Sequence, residues 1–111
     1  MNINLDYARK AEGIYYGGGS AILAERVALA ASKYKSCKGR ANAAYMAICK
    51  FASDIGCNPQ SECFIRKEDG GYRVSFEGGP FYWAIVASDA LYQCGILAEP
   101  YYSFDLCFYP E

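Results

Sequence analysis

The hydrophobic period of this chain first changes at the turn-rich segment Cys57-Asn58-Pro59-Gln60-Ser61, and that change limits the folds open to it. Before it, apolar residues recur at intervals of three and four; after it, alternation with a period of two sets in. A chain that opens on helices and then turns to strands, with a further helix among them, reads as an α+β protein. Its 111 residues suffice for one core and not for two, so residues 1–111 are expected to form a single domain.

Residues 4–16 read as a short helix with Asn4 at its N-cap and Gly17 as its stop. Gly17-Gly18-Gly19 then turns the chain. Ser20 is placed to cap a second, alanine-rich helix running to about Cys37, with Leu23, Val27, Ala30, Ala31 and Tyr34 on one face. Lys33, Lys35 and Lys38 fall at its C-terminal end, where cations complement the helix dipole. After Lys38-Gly39-Arg40, a third helix is expected at roughly 41–55. Its apolar stripe is Ala44, Ile48, Phe51, Ala52 and Ile55, and Gly56 stops it.

Glu62–Glu68 and Tyr72–Glu77 predict a β-hairpin around Asp69-Gly70-Gly71. An Asp69-Gly70 turn sets Arg66 opposite Arg73 and Glu62 opposite Glu77. A Gly70-Gly71 turn sets Glu68 opposite Arg73 and Ile65 opposite Phe76. Cross-strand pairs are worth about 0.2–1 kcal/mol each, so charge favours the second register. Pro80 at a first helical position opens a fourth helix, Phe81 to Cys94, closed by Gly95. That helix is apolar on nearly every side, and Tyr82 and Tyr92 are candidates for its buried face. Tyr101–Tyr109 alternates as a last strand, with Tyr102, Phe104, Leu106 and Phe108 on one side. The expected fold is α+β, about four helices with a three-stranded antiparallel sheet in the order α-α-α-β-β-α-β.

The formal charge of −1 conceals a polarity. Residues 1–56 carry eight Lys and Arg against four Asp and Glu; residues 57–111 carry three against eight. No basic residue follows Arg73. No apolar run is long enough to span a bilayer, and Asp6, Arg9 and Lys10 interrupt any signal-peptide pattern, so no membrane partner and a cytoplasmic location are expected. The six cysteines include no Cys-x-x-Cys pair and are expected to be reduced, with Cys49, Cys94 and Cys107 in the core. Cys57 and Cys63 are spaced to close a short loop if oxidised. No metal and no cofactor are expected.

With no histidine, Ser-His-Asp and Cys-His mechanisms cannot be assembled within one subunit. Ser32-x-x-Lys35 matches a serine–lysine pattern without its companion motifs, and Glu62 with Glu77 is a bare carboxylate pair. Gly17-Gly18-Gly19-Ser20 resembles a phosphate-cradling turn, but a helix precedes it where that motif needs a strand. A small ligand-binding protein or enzyme built on this turn is therefore a lesser alternative. Lys33, Lys35, Lys38 and Arg40 form the only basic cluster, a candidate contact for DNA or RNA.

Tyrosine supplies 11 of the 111 residues, well above ordinary usage, and Tyr offers large contact area with little rotamer entropy to lose. Tyr101 and Tyr109 flank Asp105 on the side of the last strand away from Leu106 and Phe108. This face either docks on a partner or lies beneath the first three helices as a second core layer. Together with Glu77, Asp89 and Glu99, these residues form a candidate docking surface for a basic protein. The apolar fourth helix also permits a homodimer.

The size of the chain, its lack of catalytic motifs, and the aromatic, acidic last third, seen in Phe81-Tyr82-Trp83 and Tyr101-Tyr102-Ser103-Phe104-Asp105, resemble short accessory proteins of phages and prophages, including anti-CRISPR inhibitors. That resemblance implies a non-enzymatic protein that docks on a nucleic-acid-processing complex and blocks its substrate site.

Overall fold

The computed structural model describes residues 2–13 and 18–110. The expected stop at Gly17 lies outside the described residues. In chain order the elements are α1 (Asp6–Ala11), α2 (Ser20–Ala31), α3 (Cys37–Asp54), α4 (Pro59–Glu62), β1 (Cys63–Glu68), β2 (Gly71–Phe76), α5 (Trp83–Gln93), β3 (Ala98–Tyr101) and β4 (Asp105–Phe108). The α+β class holds, with five helices and four strands among the described residues where four and three were expected.

The sheet is antiparallel throughout, in the order β1-β2-β4-β3. The segment read as one final strand is half of a hairpin. Ala98–Tyr101 pairs with Asp105–Phe108 across a turn at Tyr102-Ser103-Phe104. The turn carries no Gly, Asn or Pro; Tyr102 itself takes the left-handed conformation at φ 59°. Without the usual turn residues the alternation ran on unbroken.

The first hairpin takes the register that charge argued against. Arg66 faces Arg73, and Ile65 faces Val74. Asp69 and Gly70 both hold positive φ, 53° and 79°, the conformation of the two-residue turn whose twist matches the strands. Gly71 lies outside that turn: it pairs with Glu68 at the start of β2, where the backbone of Phe108 leaves no room for a Cβ. Turn geometry decides the register, and Glu68 relieves the arginine pair.

Helices cover one face of the sheet. α3 packs across β1 and β2, α5 lies over β3 and β4, and α2 bridges α3 and α5 from outside. Close packing there rests on small residues: Ala21, Ala24, Ala28, Ala31, Ala41, Ala44, Ala52, Ala84, Ala87 and Ala90 are all fully buried. Between them sit Leu23, Val27, Ile48, Val86 and Leu91, against Val74, Phe76, Leu106 and Phe108 from the sheet. Full burial of each large side chain contributes about 1.5–3 kcal/mol. Trp83 is buried at the centre and donates its indole N–H to Phe76 O at 3.0 Å, so its one polar atom is satisfied.

Local signals account for several departures from the sequence reading. α2 ends at Ala31 rather than Cys37, and Ser36 caps α3 by accepting from Gly39 N at 2.9 Å. Lys33, Tyr34 and Lys35 therefore lie in the connection, and Lys38 lies in the first turn of α3. Lys33 still follows directly on the C-cap of α2, whereas Lys38 stands at a helix N-terminus, where a cation does not complement the dipole. Ser20 does not cap α2. Glu12 does, accepting from Ala21 N at 2.7 Å and from the Ser20 hydroxyl at 3.2 Å. Pro80 precedes α5, which starts two residues after Phe81, at Trp83. Ile55 is exposed rather than buried, and so is Tyr92, which faces solvent from the end of α5. All six cysteines are unbonded; Cys63 is the buried one, Cys49 and Cys94 are half-buried against the core, and Cys107 faces away from it. No described helix is long and apolar enough to cross a membrane.

Candidate functional site

The face of the sheet opposite the helices carries every second side chain of the strands. Register aligns them in two rows: Phe64, Ser75, Asp105 and Tyr101, then Arg66, Arg73, Cys107 and Glu99. Among the described residues, no helix packs on this face. Tyr101 and Tyr109 remain exposed, so they form no second core layer.

A polar network fixes its centre. One oxygen of the Asp105 carboxylate accepts from Arg73 Nε at 2.8 Å and pairs with Arg73 Nη2 at 2.6 Å. The other accepts from the Ser75 hydroxyl at 2.5 Å. Arg73 Nη1 also donates to Glu68 at 3.2 Å, and Arg66 Nε donates to the same carboxylate at 2.8 Å. Burial would lower the Arg73 value, but the hydrogen bond and charge of Asp105 outweigh it and raise the guanidinium above its ordinary range. Its Cζ lies 4.0 Å from the centroid of the Tyr101 ring, a cation–π contact. Hydrogen bonding from Arg66, with Arg73 adding to it, holds the Glu68 carboxyl below its usual value.

Around this centre stands an aromatic rim. Tyr102 is 76% exposed, and its ring meets that of Tyr101 edge-on at 4.5 Å. The turn bearing it is tied to the start of α5 by Ala84 N donating to Ser103 O at 3.3 Å. That tie brings Phe81 within 6.1 Å of Phe104, and Phe81 in turn lies 4.0 Å from the Tyr82 ring. Two depressions flank Arg73. The larger, about 370 Å3, is lined by Glu77, Tyr102, Phe104, Arg73 and Asp105. The smaller, about 70 Å3, lies among Glu68, Asp69, Tyr101, Cys107 and Tyr109.

Of the residues singled out in the sequence, Glu99, Tyr101, Asp105 and Tyr109 share this face, and Glu77 borders it. Asp89 does not join them: it lies on α5 and accepts from the Tyr7 hydroxyl at 3.1 Å and from Gln93 at 2.9 Å. Asp105 is on the face but buried, its two oxygens occupied by Arg73 and Ser75, so it organises the surface and offers no free charge to a partner. Glu77 and Glu99, with Asp69 in the first hairpin turn, are the exposed carboxylates that make no ion pair among the described residues. Sequence reasoning missed Arg66, Glu68, Arg73, Tyr102 and Phe104. What lacked a signal was the second hairpin, which brings Asp105 beside Arg73 and Ser75.

The other candidates resolve differently. Lys33, Lys35 and Lys38 are exposed without ion pairs among the described residues, and Arg40 Nε donates to Tyr34 O at 2.9 Å. The α2 N-terminus, where an anion was imagined, already receives the Glu12 carboxylate. The Ser32 hydroxyl donates to Leu29 O at 2.8 Å, with Lys35 out in the connection. Glu62 ends α4, and Glu77 N donates to Glu62 O at 3.4 Å, so the two residues stand opposite one another just beyond the paired strands. Among the described residues no three His, Cys, Asp or Glu side chains gather as a metal-binding group.

No protein-family model matches this chain, and comparison with curated proteins and with solved structures gives no match to either.

Proposed function

We propose that this chain is a non-catalytic inhibitor that docks the uncovered face of its sheet on a basic surface of a nucleic-acid-processing protein, in the manner of anti-CRISPR proteins. The observation that carries the reading is Tyr101 and Tyr102 standing exposed over a fixed Arg73–Asp105–Ser75 network. Interfaces are enriched in Tyr and Arg, and preorganised side chains lose little entropy on binding. Tyr102 keeps a left-handed backbone although its ring is largely in water. Strain of this kind costs of order 1–3 kcal/mol, and the ring returns little of that to the fold by burial.

Partner chemistry follows from the larger depression. Its free carboxylate is Glu77 and its walls are Tyr102 and Phe104, a lining suited to an arginine or lysine head from a partner. Glu99 extends the negative edge. Affinity purification of the tagged chain from its native host, with quantitative mass spectrometry, tests the reading. A basic nucleic-acid-binding protein should be captured by the unaltered chain, lost with Glu77→Lys/Glu99→Lys, and reduced at least tenfold with Tyr101→Ala/Tyr102→Ala. Equal recovery with both variants would reject this face as the docking surface.

A further inference from the structure

The opposite side of the molecule carries a second surface, independent of the sheet face. Between the end of α2 and the first half of α3 runs an open groove of about 640 Å3. Its lining is mostly apolar, with the small side chains of Ala30, Ala43 and Ala47 beside Met46, and Lys33, Asn42 and Lys50 add polar groups. Met46 is 65% exposed and Tyr34, at one end, 51% exposed. Both are large apolar groups that the chain's own core does not use.

We propose that this groove takes an amphipathic helix with an acidic polar face, supplied by another protein. Two observations select that occupant. Small residues along the floor let a helix backbone approach closely while apolar anchors at i, i+3 or i+4, and i+7 reach Met46 and Tyr34. The border is basic. Lys33 has no ion pair among the described residues, and Lys35 and Lys38 continue the positive charge beside the lining residues Tyr34 and Gly39. Lys50 is only loosely held, 3.9 Å from Asp54, which also pairs with Arg26 at 3.7 Å. A carboxylate-bearing helix completes these cations and covers the apolar floor in one step. A nucleic acid meets the lysines but leaves Ala43, Ala47 and Met46 facing sugar and phosphate.

Fluorescence anisotropy tests the assignment with three fluorescein-labelled 16-residue peptides. Each carries Leu or Phe anchors at i, i+3 or i+4, and i+7 on an otherwise Glu- and Ala-rich helix; controls are the same peptides with anchors changed to Ser, and a 15-nucleotide poly-dT strand. At least one anchored peptide should bind saturably in the micromolar range, with the Ser control and oligonucleotide at least tenfold weaker. Met46→Asp, a substitution at a solvent-facing site, should weaken binding about tenfold or more, and Lys33→Glu/Lys50→Glu should weaken it and flatten its salt dependence. Circular dichroism melting should show each variant folded; should Met46→Asp melt early, Met46→Ser replaces it with the same expected direction. No saturable binding by any peptide, binding indifferent to both substitutions, or preference for the oligonucleotide would overturn the proposal. Tyr101→Ala/Tyr102→Ala should leave peptide binding unchanged, so failure here is separable from failure of the sheet-face reading.

Discussion

The guanidinium of Arg73 and the carboxylate of Asp105 meet across β2 and β4 at 2.6 Å, with only 12% and 9% of the two side chains in contact with solvent. A charge pair this enclosed is costly to break from one side, because the remaining charge keeps its burial and loses its partner. Asp105→Asn should lower unfolding free energy by about 2–4 kcal/mol in urea titration. Arg73→Met in the same chain should restore part of that loss. A change below about 0.5 kcal/mol for Asp105→Asn would mean that the network does not organise the face.

Glu68 makes tolerable the Arg66–Arg73 pairing that charge alone disfavours. Its folded-state value is lowered, first by the hydrogen bond from Arg66 and also by Arg73. A depressed carboxyl stabilises the fold above its unfolded value near 4.5, and that contribution is lost as pH falls through the folded value. Glu68→Gln should therefore shift the urea midpoint downward at pH 7. The gap between variant and unaltered chain should close as pH drops below 4.5 and Glu68 takes up its proton in the folded chain. A gap that persists at the acid end would contradict the pairing.

Tyr102 is the residue where fold and proposed function should conflict. Its positive φ is strained for a bulky side chain. Tyr102→Gly should relieve that strain and raise stability by up to about 1 kcal/mol, less whatever the added freedom of glycine in the unfolded chain removes. The same change removes a wall of the larger depression, so partner binding should weaken. Thermal melting and partner titration on one preparation check both signs.

Burial, with Cys49 alongside, pushes the Cys63 thiol up to about 12. A group whose folded value is raised lends full stability below its unfolded value and loses it as pH climbs. Here that window opens near 9.0 and extends to about 12. Cys63→Val should therefore flatten part of the decline in stability between pH 8 and pH 10.5. In the native protein at pH 8, Cys63 should be the slowest thiol to react with an aromatic disulfide reagent, and it should match the others after unfolding. Rapid native labelling of Cys63 would show that β1 does not seal it.

Much of the fold was legible because period and burial agree. The stripe Ala44, Ile48, Phe51 and Ala52 is the buried side of α3, and Leu106 with Phe108 is the core side of β4. What escaped was decided by backbone conformation or by distant contacts. Tyr102 turns a hairpin without a turn residue, Glu12 caps a helix eight residues downstream, and Asp69-Gly70 overrules the charge preference of the strands. The site was half legible for the same reason. Tyr101 and Tyr109 were found by alternation, whereas Arg73 joins them only once β4 is set beside β2.

Hydroxyl-radical footprinting of the chain alone and in complex with its captured partner reads side-chain exposure directly. Oxidation of Tyr101, Tyr102 and Tyr109 should fall several-fold on binding, with Tyr7 and Tyr92 unchanged as exposed controls away from the sheet face. Unchanged oxidation of Tyr101 and Tyr102 in a fully formed complex would contradict docking through the open sheet.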